Sequence, residues 1–404
     1  MTIPNPISLS TAASLLAASL VLLVGALMTR KIGFLARYSI PSPIVGGLVF
    51  AVLVTSLGLT TCVRLSLATT AKPYLLLLFF ASIGLTADMR LLAKGGARLL
   101  RFLLVLAPFL FVQDVLGIAV AYGLDLHPLM GLVGGTITLI GGHGTGAAYA
   151  QRFAEVNNIQ AVMEFTMTSA TLGLVIGGII GGPVAGRLID KYKLAAATSP
   201  SADGGVVGGP VTTPVTSIAL IGSFAAALIA LITGQALGAL FEGAVITLPS
   251  FLWCLIIGLI IRNGLPFLGV RLQDSASDLI GSVSLSLFLA WTMMTLDLVS
   301  VAKIGGSLLI ILAVQTVLVA VWATFVCFRV VGKDYEAAVV SAAFCGFAMG
   351  ATATAIANMQ ALTQRYGPAP QAFIIVPIVG AFLIDLMNAI VLTIFLSLGF
   401  MGGG

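Results

Sequence analysis

Charge is what this sequence has least of. Only 8% of its 404 residues are Asp, Glu, Lys or Arg, against 59% hydrophobic, and the mean hydropathy is +1.15. A soluble domain carries about 25% charged residues, so this chain cannot cover a water-facing surface, and soluble and disordered classes are excluded. Cysteine is also scarce. The four residues Cys62, Cys254, Cys327 and Cys345 form no CxxC or metal-ligand spacing, which excludes a disulfide framework and structural zinc and leaves packing as their role. The formal charge is +5, yet no basic cluster exists, so nucleic acid is not an expected partner. No Lys or Arg precedes Arg30; the first apolar run lacks the positive n-region of a signal peptide and is expected to be retained as a span.

What is there is long apolar runs. A bilayer admits only helices or closed barrels, and barrel strands alternate apolar with polar residues. Here the runs are continuous, which predicts an all-α polytopic membrane protein. Spans of about 20 residues are expected near 8–29, 41–60, 73–88, 101–123, 165–187, 216–241, 248–265, 279–297, 305–329 and 370–399. Two further uncharged stretches differ in composition. Residues 126–151 hold seven glycines, and 337–364 hold ten alanines with Gly346 and Gly350. Backbone broken at this density is tolerated at membrane depth only where it lines a cavity.

Charge counting decides whether these two stretches cross. If both are re-entrant hairpins and the N-terminus is outside, 15 of the 19 basic residues fall on the cytoplasmic side, leaving Arg64, Lys72, Arg152 and Lys303 outside. If both cross, the tally is 10 against 9. The positive-inside rule therefore selects hairpins. Each half then has five spans and one hairpin, and an odd number gives the halves opposite orientations, an inverted repeat. The first repeat is expected over 1–189 and the second over 216–404, with a cytoplasmic linker at 190–215 marked by Ser199-Pro200-Ser201 and Gly204-Gly205. Both termini then lie outside. Echoes between the halves include Ile40-Pro41-Ser42 with Leu248-Pro249-Ser250, and Val112-Gln113 with Val314-Gln315.

The hairpins carry the candidate chemistry. The first contains Gly141-Gly142-His143-Gly144-Thr145-Gly146-Ala147-Ala148, the second Gly350-Ala351-Thr352-Ala353-Thr354-Ala355-Ile356-Ala357-Asn358. A half-helix starting after a glycine turn points free N–H groups inward, with about half a positive charge, which suits a carboxylate. No Lys or Arg lies in an expected span centre, so recognition of an anion falls to Gly142, His143, Gly144, Thr145 and Gly146, and to Gly350, Thr352, Thr354 and Asn358. The competing reading is close helix packing, which small residues also permit; for His143 it is a hydrogen-bonded structural role.

These two runs, with Ile40-Pro41-x-Pro43, Ser284-Leu285-Ser286-Leu287-Phe288 and Val376-Pro377-x-x-Gly380-Ala381-Phe382 followed by Asp385 and Asn388, resemble the sodium/glutamate symporters of bacteria. The resemblance covers almost the whole chain and departs at two tip positions, Ala353 where Pro is expected and Ile140 where Ser is expected. It implies a sodium-coupled secondary transporter that moves L-glutamate across the bacterial inner membrane by an elevator-like motion of a hairpin-bearing domain. It also implies a homodimer formed through the other domain.

Intramembrane acids are the second lead, since a buried Asp costs about 3 kcal/mol on insertion scales and marks an ion or substrate path. Asp385, with Asn388 one turn on, is expected to face one side and hold sodium through hard oxygens, with Asp114 as a further candidate. Thr168 and Thr171 are expected to bond back to their own helix rather than serve a cation. No Gly-x-Ser-Gly element accompanies His143 and neither Asp has an aspartyl-protease context, so an enzyme is not expected. A channel is disfavoured by paired inverted hairpins. The remaining alternative is a proton-coupled carboxylate carrier or a cation/proton exchanger.

Overall fold

The structure, a computed structural model, describes residues 7–33, 35, 41–61, 65–90, 96–159, 161–196, 214–241, 248–295 and 298–398. Ile40, Cys62, Arg64 and the centre of the expected linker, with Ser199-Pro200-Ser201 and Gly204-Gly205, lie outside the described residues. Among the described residues the fold is helical apart from a two-residue parallel bridge between Ile7–Ser8 and Leu65–Ser66.

The helices are α1 Thr11–Lys31, α2 Ser42–Thr61, α3 Lys72–Thr86 and α4 Gly96–Gly123, then α5 Pro128–Leu132, which runs into a π-helical stretch at Val133–Ile137, α6 Gly142–Val156 and α7 Val162–Tyr192. After the linker come α8 Ser217–Leu240, α9 Ser250–Gly264, α10 Asp274–Met294 and α11 Leu298–Trp322, then α12 Tyr335–Met349, α13 Thr352–Tyr366, α14 Pro370–Ile378 and α15 Ile384–Leu396. A second π-helical stretch, Ala323–Cys327, extends α11, and a third, Val379–Leu383, joins α14 to α15.

Eight of these helical runs are long and apolar enough to cross a membrane, so the protein is a multi-pass membrane protein. Of the ten expected spans, the second is the 20-residue α2 and the third is a shorter apolar helix in the structure. At 15 residues, α3 is about 22 Å long, less than the roughly 30 Å hydrocarbon core; Lys72-Pro73 starts it and Ala87 ends it. Leu16, Leu20, Leu23 and Leu27 form an exposed apolar stripe on α1, as contact with lipid requires.

Two packed groups are evident. One consists of α1, α2, α3, α8, α9 and α10, the other of α4 to α7 with α11 to α15. Glycine pairs set the closest crossings in the first group: a Cβ on Gly84 of α3 would lie 2.9 Å from the Gly258 Cα of α9. In the second group Phe109 of α4 meets Phe344 of α12 edge-on at 4.8 Å. The packing repeats between the halves of the chain. α1 packs on α2 as α8 packs on α9, α2 on α10 as α9 on α3, and α1 on α10 as α8 on α3.

The two glycine- and alanine-rich stretches fold as helix–turn–helix pairs, α5–α6 at 128–156 and α12–α13 at 335–366. The first ends five residues past its expected bound, and the second extends two residues past its bound at each end. The Asp334 side chain accepts the Ala337 N–H at 2.8 Å and pairs with Arg98 of α4 at 2.6 Å.

Candidate functional site: two helix tips and a buried oxygen cluster

The two pairs meet tip to tip. In the first, Ile140 and Gly141 both donate their N–H groups to the Thr136 carbonyl, at 3.2 and 3.0 Å. The chain then restarts as α6 at Gly142, whose φ of +63° is a backbone that glycine adopts without steric cost. In the second pair, Ala351 donates to the Gly346 carbonyl at 3.1 Å. Gly346 lets the two arms touch, since a Cβ there would lie 2.5 Å from the Ala355 Cα. Between the tips, a Cβ on Gly142 would lie 3.9 Å from the Gly350 carbonyl oxygen.

A cavity of about 330 Å³ opens where the tips meet. Gly142, His143, Gly144 and Thr145 line one side, Gly350 and Thr352 another, with Phe79 of α3, Leu285 and Ser286 of α10, and Asp385 completing the wall. Six of the nine expected substrate residues are thus brought together. Among the described residues lining it there is no Lys or Arg, and Asp385 is the only acid. α6 and α13 both begin at this wall, and their first N–H groups have no acceptor within the helix. The partial positive charge of each start favours an anion. Thr352 also donates to the Gly380 carbonyl at 3.0 Å, fixing the second tip to the π-helical stretch before Asp385.

The His143 tautomer follows from its neighbours. The Thr171 hydroxyl donates to the Met167 carbonyl at 2.8 Å, so its proton is committed, and at 3.1 Å it accepts from His143 Nε2. Nδ1 then carries the lone pair. Both readings of His143 hold geometrically: it is hydrogen-bonded within the fold and it lines the cavity. Thr168 and Thr171 bond back to their own helix as expected, at 2.8 Å each.

The other three expected residues lie away from the cavity. Gly146 packs α6 onto α7, where a Cβ would meet the Thr166 methyl at 2.7 Å. Thr354 is two residues beyond Thr352, about 200° round a helix, and is buried towards Gly178 of α7. Asn358 on that same face donates to the carbonyls of Gly177 and Ala342 at 3.0 and 3.2 Å, tying the second pair to α7. Spacing along the chain could not show that α7 occupies this face.

The three expected cation residues divide. Asp114 is fully buried, and its two carboxylate oxygens accept the N–H and the hydroxyl of Thr136, both at 2.9 Å. Thr136 directly follows Gly135, whose φ of −105° and ψ of −133° break the helix. Asn388 Nδ2 donates to the Thr136 carbonyl at 3.1 Å, and Asn388 Oδ1 is buried with no partner among the described residues. Thr136 therefore joins Asp114, Asn388 and the turn at Gly141. Sequence reasoning passed over it, although it is the first hydroxyl after Gly134-Gly135 in a stretch already read as broken. Asp385 and Asn388 lie three residues apart on α15, one turn apart as expected. Asp385 lines the cavity, while Asn388 is buried and bonded to the Thr136 carbonyl.

Gln113 and Gln315, matched earlier as an echo between halves, meet in space: Gln315 Nε2 donates to the Gln113 carbonyl at 2.9 Å, and Gln113 Nε2 to the Ala348 carbonyl at 3.0 Å. Among the described residues no three His, Cys, Asp or Glu side chains cluster as a metal site. The candidate ligands are hard oxygens. Cys254, Cys327 and Cys345 are free and buried, as their packing role requires.

The sequence profile described as sodium/glutamate symporter matches residues 7–368. The chain belongs to the sodium/glutamate symporter family. A sodium/glutamate symporter of Haemophilus influenzae is 42% identical over 390 residues, covering 95% of this chain and 96% of the relative. That of Escherichia coli K12 is 42% identical over 403 residues, covering 98% and 99%. Symporters are transporters and not enzymes, and the multi-pass helical fold of this family member is of the kind a transporter needs.

Proposed function

We propose that the protein is a secondary transporter that couples sodium to L-glutamate uptake across a bacterial inner membrane. The observation that carries this is the meeting of two helix starts at one cavity free of basic side chains, beside a buried oxygen cluster that touches one of the tips. The family and its relatives' names supply the pairing of sodium with glutamate. In this reading α5–α6 and α12–α13 are re-entrant hairpins from opposite sides, and the repeated packing of α1–α2–α10 and α8–α9–α3 reflects inverted repeats over 1–189 and 216–404. Both termini are then periplasmic and the linker at 190–215 is cytoplasmic.

Glutamate carboxylates bind the first N–H groups of α6 and α13, with Thr145 and Thr352 adding hydroxyls and His143 a polar edge. Sodium binds at Asp114, Thr136 and Asn388, where an ionised carboxylate at depth needs a cation and Asn388 Oδ1 is free to serve as ligand. Coupling then has a short route. Thr136 holds Asp114 through its N–H and hydroxyl and holds the Gly141 turn through its carbonyl, so sodium occupancy fixes the first tip in its substrate-binding shape. The hairpin-bearing group moves as an elevator against α1, α2, α3, α8, α9 and α10, which also supply the homodimer contact. Uptake of L-glutamate into proteoliposomes, driven by a sodium gradient at fixed pH, tests the reading; uptake that follows a proton gradient and ignores sodium would instead favour a proton-coupled carrier.

A further inference from the structure

Asp385 has no role in the oxygen cluster and none in anion binding. It lines the cavity, it is partly buried, and its carboxylate makes no hydrogen bond to any described residue. It is the only acid in a described wall that holds no Lys or Arg. Its position is set by the second tip: Thr352 is bonded to Gly380, and the π-helical stretch Val379–Leu383 turns through i→i+5 bonds, which carries Asp385 back to the side that Gly380 already shares with Thr352. The cavity that Asp385 lines is largely apolar, with Leu174, Phe347 and Ile384 in its wall and the neutral hydroxyls of Thr145, Ser286 and Thr352 as its other oxygen-bearing side chains.

An α-amino acid brings more than carboxylates into such a cavity. Its ammonium group would be desolvated there, and an unpaired buried charge is strongly disfavoured. The helix starts of α6 and α13 repel it, because they carry partial positive charge. We infer that Asp385 is the receptor for the substrate ammonium group and selects an amino acid over a plain dicarboxylate of the same length. This rests on the glutamate reading above and moves Asp385 from the sodium site to the substrate site.

The test compares L-glutamate with glutarate, which has the same five-carbon dicarboxylate chain and no ammonium group, by calorimetric binding to the purified full-length protein in saturating sodium. Removing one partner of a buried charge pair typically weakens binding about 30- to 5000-fold. Wild type should therefore prefer L-glutamate by about 100-fold, and in Asp385→Asn that ratio should collapse to within a few-fold of one. The sodium midpoint for glutarate binding by the variant should remain within threefold of wild type. A wild type that binds both ligands equally, or a ratio unchanged in the variant, overturns the assignment. So does a folded variant whose glutarate binding loses its sodium dependence, which would return Asp385 to the sodium site. If Asp385→Asn fails to elute as a monodisperse species, Asp385→Ala is read by the same ratio. A wild type that binds neither ligand at any sodium concentration overturns both this assignment and the transport reading beneath it; failure of the assignment alone leaves glutamate binding intact.

Discussion

Asp114→Asn separates the charge of the oxygen cluster from its shape. The wild-type carboxylate accepts two hydrogen bonds from Thr136 at 2.9 Å and is confined by Gly135, where a Cβ would lie 2.8 Å from Asp114 Oδ1. Asparagine keeps one oxygen for the Thr136 N–H, and its NH₂ can donate to the Thr136 hydroxyl, which also accepts. The fold therefore survives and only the negative charge is lost. Two unit charges about 4 Å apart interact by about 4 kcal/mol at an effective dielectric of 20. If relaxation and residual dipoles recover up to half of that, sodium binding weakens by about 2–4 kcal/mol, or about 30- to 1000-fold. By linkage, the apparent affinity for L-glutamate falls at low sodium and recovers as sodium approaches saturation. The assay is L-glutamate binding across a sodium series in wild type and variant, with choline holding ionic strength constant. A monodisperse Asp114→Asn protein whose sodium midpoint lies within threefold of wild type would refute the reasoning.

Further outcomes follow from the same geometry. Thr136→Val keeps the volume but removes the hydroxyl donor to Asp114, a charge-assisted bond worth about 1.5–3 kcal/mol; the sodium midpoint should rise at least about tenfold, and an unmoved midpoint would deny Thr136 its linking role. Gly346→Ala forces a Cβ to 2.5 Å from the Ala355 Cα, an overpacking cost of about 1–3 kcal/mol, visible as a lowered thermal midpoint together with lost binding. Gly142→Ala meets nothing closer than 3.9 Å and costs only its φ of +63°, about 1–2 kcal/mol; it should fold normally and bind up to about tenfold more weakly. Cysteines at the exposed positions Asn158 and Gln364, in a background without the native four, should label from outside and inside respectively. Labelling of both from one side would exclude inverted hairpins.

The helical class and both broken stretches were legible in the sequence, because low charge excludes a soluble surface and seven glycines in 126–151 cannot continue a lipid-facing helix. The residues nearest each turn, Gly142 to Thr145 and Gly350 to Thr352, were legible for the same reason. What failed depended mostly on neighbours. Thr354 and Asn358 face α7, which no local pattern reveals. Asp385 and Asn388, three residues apart on α15, serve different neighbours, the cavity and Thr136, which spacing along the chain does not reveal. Thr136 escaped notice because its partners lie 22 and 252 residues away. The shortness of α3 was hidden because Asp88, its first charge after Lys72, comes after the helix has ended.

The central claim is that sodium and L-glutamate bind to one coupled unit joined at the first tip. Reciprocal titration of the wild-type protein tests it most directly: the glutamate dissociation constant at low and saturating sodium, and the sodium midpoint without and with saturating glutamate, all at one pH and ionic strength. Sodium should tighten glutamate binding, and glutamate should lower the sodium midpoint by a matching factor. Glutamate binding of equal strength in choline and in sodium would contradict it.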